Sequence, residues 1–168
     1  MSAARLQVIG VGSPAGDDRL GWEVIARLKA KLPAQTRCDL CALDRPGASL
    51  IEYLANAEWC WLVDALLIEG TPGRYCQPGL EQLMRSGNSA VGSHGFGLAD
   101  SLRLAERLGM LPARLELHCL TINAADTLSE QLSPAVDAGV NGLVERLHQR
   151  LVDDMKHADA EPQRYRKF

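Results

Sequence analysis

The sequence predicts an α/β fold whose parallel sheet is covered by helices on both faces. Short apolar, β-branched runs alternate with amphipathic segments of helical period. Glycine and proline punctuate the joints between them. Helices of this length return the chain by right-handed crossovers, which makes neighbouring strands parallel.

Residues 6–11 form the first expected strand, closed by Gly12-Ser13-Pro14. A helix follows from about Gly21, with Val24, Ile25, Leu28 and Leu32 on one face and Pro33 at its end. Residues 38–43 read as a second strand, 49–57 as a second helix and 59–64 as a third strand. Between Gly73 and Pro78, residues 74–77 suit a short edge strand, with an antiparallel pairing open to it. A helix is expected over 97–108, with Leu98, Leu102 and Ala105 on one side and Gly109 as its stop, and then a strand over 115–122. The last helix runs from Pro134 to about Asp153. Its stripe of Val136, Val140, Leu143, Val144, Leu147 and Leu151 reads as core packing.

A chain of 168 residues fits one domain, expected over 1–155, with the polar stretch 156–168 as a flexible tail. Hydrophobic residues at 46% and charged residues at 23% exclude general disorder and fibrous repeats. A net charge of −3, with Lys and Arg scattered among acids, lacks the basic stripe that nucleic acid needs. The apolar run 6–11 is too short for a signal-peptide core or a membrane span, so a cytoplasmic protein without membrane insertion is expected, as a monomer. Five cysteines, an odd number without regular spacing, then imply reduced thiols.

In open α/β sheets, ligands bind beyond the carboxyl ends of the strands. Asp17 and Asp18 follow the first strand, Asp44 closes the second, and Asp64 is expected to close the third. A carboxylate at the end of Trp59-Cys60-Trp61-Leu62-Val63 is costly to desolvate unless a Lys, a metal or a helix N-terminus compensates it. His94, in Gly92-Ser93-His94-Gly95, is the remaining candidate ligand. Two carboxylates and an imidazole from three loops suit nickel, zinc or a similar divalent ion, although a lone loop histidine is more often a cap or a surface residue. Gly10-Val11-Gly12 hints at a nucleotide fingerprint, but Asp17 and Asp18 stand where a pyrophosphate would lie. Cys38 and Cys41 make a CxxC on a strand, where positions i and i+3 face opposite ways, so they read as buried strand residues. His118, His148 and His157 read as structural or solvated, and no Gly-x-Ser-x-Gly elbow is present.

Three segments in order, residues 11–21, Leu62-Val63-Asp64-Ala65 and residues 93–100, resemble the hydrogenase maturation endopeptidases. The likeness covers about residues 6–151. It implies a three-layer α/β/α sandwich around a mostly parallel five-stranded sheet, similar to the phosphorylase/hydrolase-like folds. It also implies that Asp18, Asp64 and His94 are the metal-contacting and catalytic residues, with Asp17 the neighbouring acid. The family's activity is a single endoproteolytic cut that removes the C-terminal extension of a hydrogenase large-subunit precursor after nickel insertion. The expected cofactor is therefore nickel, supplied by the substrate, with another divalent ion as a substitute in the isolated protein. Asp17, Asp44, Arg45 and Gly47 are candidate contacts for the precursor.

The chain departs from the family pattern at Ser13, where asparagine is common, at Arg19, at Asp44-Arg45-Pro46-Gly47 and at Asn123-Ala124. These departures keep open a non-cleaving nickel-checkpoint or chaperone-like protein, and an unrelated metallohydrolase stands as a third option.

Overall fold

Burial of alternating apolar runs on two faces sets the architecture. In the computed structural model, which describes residues 6–33, 36–85 and 97–160, β1 (Leu6–Gly12) leads through a 3-10 turn at Gly16–Arg19 into α1 (Leu20–Lys31). Next come β2 (Cys38–Asp44), a 3-10 turn at Gly47–Ser49, α2 (Leu50–Ala55) and β3 (Trp59–Leu67). The rest is β4 (Tyr75–Cys76), α3 (Leu80–Arg85), α4 (Leu98–Arg107), β5 (Arg114–Ile122), a 3-10 turn at Ala124–Leu128 and α5 (Pro134–Ala160).

The sheet order is β2-β1-β3-β5-β4. Strand β1 pairs parallel with β2 and β3, and β3 pairs parallel with β5. The edge strand β4 pairs antiparallel with β5. Successive side chains of a strand point to opposite faces. On one face Trp61, Val63 and Ala65 of β3 meet α1 and α5 through Val24, Leu28, Val140 and Leu147. On the other, Cys60, Leu62 and Leu66 meet α2 and α4 through Leu50, Leu54, Leu98 and Leu102. The expected three layers and mostly parallel five-stranded sheet are thus present.

The contact of α1 with β1 is unusually close. A Cβ built on Gly10 would lie 2.1 Å from the Gly21 carbonyl oxygen, and one on Gly21 would lie 2.2 Å from that of Val11. Only glycine at both positions lets the helix sit this near the strand.

Two boundaries and one helix differ from expectation. Strand β3 does not end at Asp64 but continues through Ala65-Leu66-Leu67, because these apolar residues pair with Leu120, Thr121 and Ile122 of β5. Helix α5 runs past Asp153 to Ala160, since no glycine or proline interrupts that stretch. Helix α3 escaped the sequence reading because its short length carries one buried apolar residue, Leu83, and so no visible period. No described helix is long and apolar enough to cross a membrane.

Candidate functional site

The chain leaves β1 towards β2 on one side of the sheet and later places β3 on β1's other side. That reversal opens a crevice at the carboxyl ends of β1 and β3, the position where doubly wound sheets bind ligands. A small cleft, open to solvent, occupies it. Its lining includes Gly12, Asp18, Arg45, Gly47, Asp64 and Ser101, with Val11, Pro46, Leu50 and Leu98 as an apolar wall.

Asp64 reaches the cleft from within β3 and is 3% exposed. The Ala65 N–H donates to its Oδ1 at 2.8 Å. Burial, reinforced by the nearby charge of Asp18, pushes the Asp64 carboxyl well above the usual carboxylate range. Asp18 stands on the 3-10 turn after β1 and is partly exposed. Burial raises its carboxyl too, against the opposing pull of the Ser13 hydroxyl bonded to it and of the Arg45 charge. Two neighbouring carboxyls, both disfavoured as anions, form a site where a cation is the natural complement.

The turn that carries Asp18 is held by backbone bonds and by its neighbour. The Ser13 N–H donates to the Asp18 carbonyl at 3.3 Å, and the Asp18 N–H donates to the Ala15 carbonyl at 3.0 Å. Asp17, the second acid of this loop, faces away from the cleft and is fully buried. Its Oδ1 accepts the Ser133 N–H at 2.6 Å and its Oδ2 accepts the Ser133 hydroxyl at 2.8 Å. Asp17 thus ties the loop to the start of α5 and is not among the residues that line the cleft.

On the other wall, the Arg45 N–H donates to the Gly12 carbonyl at 2.9 Å while Arg45 adopts φ 40°, a left-handed backbone rare outside glycine. Strain of this kind gathers at ligand sites. The Arg45 Nε lies 2.7 Å from Asp44 Oδ1, and this bond lowers the Asp44 carboxyl. Arg45 and Gly47 line the cleft; Asp44 stands outside it, engaged with Arg45.

Ser101 escaped the sequence reading. It is 1% exposed, and its hydroxyl lies 2.8 Å from the Gly47 carbonyl and 3.1 Å from that of Gly97, joining the β2–α2 turn to the first turn of α4. A serine in the first turn of a helix is a faint signal of such a bond.

His94 lies outside the described residues. Of the three candidate ligands the fold therefore brings Asp18 and Asp64 to one cleft, and among the described residues no group of three His, Cys, Asp or Glu side chains is placed to hold a metal. Cys38 and Cys41 are half-buried rather than buried. The buried His118, in register with Val63 on β3, faces the opposite side of the sheet from Asp64. The Tyr75 hydroxyl is 2.9 Å from its Nδ1, and its ring meets Trp61 edge to face.

The family model described as hydrogenase maturation protease (HycI) matches residues 23–150. The chain belongs to the hydrogenase maturation proteases. No curated protein matches it. Solved maturation proteases share its fold. The maturating endopeptidase HybD of E. coli superposes with a TM-score of 0.69 at 22% identity, over 89% of this chain and 93% of its own. The hydrogenase 2 maturation peptidase of Thaumarchaeota archaeon SCGC_AB-539-E09 gives 0.61 at 26% identity, over 88% of this chain and 97% of its own. HycI of Thermococcus kodakarensis gives 0.68 at 18%, over 89% of this chain and 94% of its own. This member of the family is accordingly a peptidase of hydrogenase maturation, with its acidic cleft at the switch point of the sheet.

Proposed function

We propose that this maturation protease removes the C-terminal extension of a nickel-loaded nickel–iron hydrogenase large-subunit precursor by one endoproteolytic cut, and that it does so as a monomer in the cytoplasm. The observation that carries the reading is the pairing of Asp18 and Asp64, two carboxyls held above their ordinary range in one open cleft.

The donor set fits a divalent ion that arrives with the substrate. Asp18 and Asp64 offer hard oxygen ligands, whereas a cysteine-rich precursor offers thiolates, so nickel held by the precursor can be shared across the interface. Such an ion, once bound, supplies Lewis-acid polarisation of the scissile carbonyl or of a water. His94 is the third proposed ligand. Its support is position in the chain, three residues before Gly97, which lines the cleft.

The chain's own groups divide the remaining work. Asp64, fixed inside β3, orients the ion or the water. Asp18, partly exposed on its turn, is the group free to take a proton from the attacking water. Arg45 and Gly47 at the mouth bind the precursor's C-terminal segment, Arg45 by its exposed positive charge. Cutting then depends on correct nickel loading, because the acidic pair alone is a repulsive, incomplete site.

The test incubates the purified protein with a nickel-loaded precursor and follows the precursor's mass. Wild type shortens it, and Asp18→Asn, Asp64→Asn and His94→Ala do not. Cutting by these variants at the wild-type rate would remove the proposed site. A second reading, a non-cleaving nickel checkpoint, draws on Arg45, whose guanidinium engages Asp44 at the cleft mouth. Stable co-purification with precursor and no change of size would favour it.

A further inference from the structure

Cys76 and Cys119 are direct register partners across the antiparallel β4–β5 pair. Opposite residues in such a pair have Cα atoms about 4.5–5.5 Å apart, within the roughly 4.4–6.8 Å that a disulfide spans. Both side chains lie on the same face, since both pack into the cluster beneath α4. The Cys76 Sγ already reaches across the gap, lying 3.7 Å from the Cys119 carbonyl oxygen.

The other cysteines do not compete. Cys38 and Cys41 lie on β2, at the opposite edge of the sheet, and Cys60 is buried on β3 in register with Leu115. Access to the pair is unequal. Cys119 is 2% exposed, whereas Cys76 is half-buried on the edge strand. Reagent therefore meets Cys76 first.

We propose that Cys76 and Cys119 form a cross-strand dithiol that a small-molecule disulfide oxidises to an intramolecular disulfide. The Cys76 thiolate attacks one sulfur of the reagent, forming a mixed disulfide and releasing one thiol. The Cys119 thiolate then attacks the Cys76 sulfur, closing the bond and releasing the second thiol. Two electrons pass from the protein pair to the reagent, and the two protons leave with the released thiols. Cys119 is also the register partner of Asp64. The new bond thus joins the sheet edge to the strand that flanks the cleft carboxylate.

The full folded chain is incubated with oxidised glutathione at mildly alkaline pH, because burial pushes the Cys76 thiol up. It is then unfolded, alkylated and digested without reduction for mass spectrometry. The expected result is a fall from five free thiols by two, a protein lighter by two hydrogens, and a joined peptide pair carrying Cys76 and Cys119 that dithiothreitol separates. In Cys119→Ser, glutathione should remain on Cys76. Glutathione retained on Cys76 of the wild type with Cys119 still alkylated, full alkylation of every cysteine, or a bridge between other cysteines would each overturn the proposal. The readout needs no precursor, so it stands apart from the cleavage assay.

Discussion

Asp64 and Asp17 are both buried acids, yet they do opposite things to stability. Asp64 has its carboxyl raised by burial and by Asp18. A folded-state value above the unfolded one means that the folded chain holds a proton where the unfolded chain has lost it, so this contribution declines as pH climbs beyond the ordinary carboxylate range. Asn carries no charge and escapes the penalty. In the absence of metal, Asp64→Asn should melt above wild type at neutral pH while losing precursor cutting; a thermal scan showing it less stable would refute this account of the site. Asp17 is satisfied by two bonds from Ser133. Hydrogen bonds to a charged group contribute about 1.5–3 kcal/mol. Asp17→Ala should therefore lower the melting temperature by roughly 3–12 °C, at about 2–4 °C per kcal/mol for a domain of this size, which calorimetry reads directly. Residue type and spacing alone do not separate the roles of Asp17 and Asp18; only the family resemblance singles out Asp18. In a 3-10 turn, with about three residues per turn, neighbours point some 120° apart, and only the packing of Ser133 decides which acid turns inward.

At the scale of elements, the most legible parts were those with a long period or a firm stop. The stripe of α5, the apolar run of β1 and the glycine that ends α4, with φ 67° at Gly109, were all visible in the residues. The three short 3-10 turns and α3 were not, because a few residues carry no period and their geometry follows from tertiary contacts. The end of β3 was misread for a physical reason: a buried carboxylate in mid-strand is costly, and a reading that minimises cost places it at an exit. The cleft shows the cost being accepted. The glycines between β1 and α1 carry an element-level prediction. Backbone carbonyls would meet any added methyl at Gly10 or Gly21, and backbone cannot rotate away as a side chain can. Gly10→Ala should cost about 1–3 kcal/mol by pushing α1 off the sheet, and a denaturant titration with an unchanged midpoint would contradict the close contact.

For the whole molecule, acid should act most strongly through His118, on the face of the sheet opposite Asp64. Burial pushes the His118 imidazole down to about 4, with the Glu116 carboxylate opposing. Glu116 is held down to about 2 by the Arg150 guanidinium, bonded to it at 2.7 and 3.1 Å. Both groups bind fewer protons folded than unfolded, so each favours the native state at higher pH. His118 loses its contribution as pH falls from about 6.5 to about 4, and Glu116 as it falls from 4.5 to about 2. Unfolding free energies at pH 7 and pH 4.5 should therefore fall in wild type and fall less in His118→Gln. An equal fall in both proteins would assign the acid sensitivity elsewhere.

The passage of β3 through Asp64 has one more consequence. A strand paired on both sides admits no insertion without shifting the register of its neighbours, whereas the turns carrying Asp18 and Arg45 lie outside the ladder and can change length without disturbing it, the Asp18 turn provided the Asp17–Ser133 tie is kept. The cleft is thus a vice with one fixed jaw and two adjustable ones. Attempts to retarget the protease to a different precursor should remodel the Asp18 and Arg45 turns and leave the β3 jaw alone.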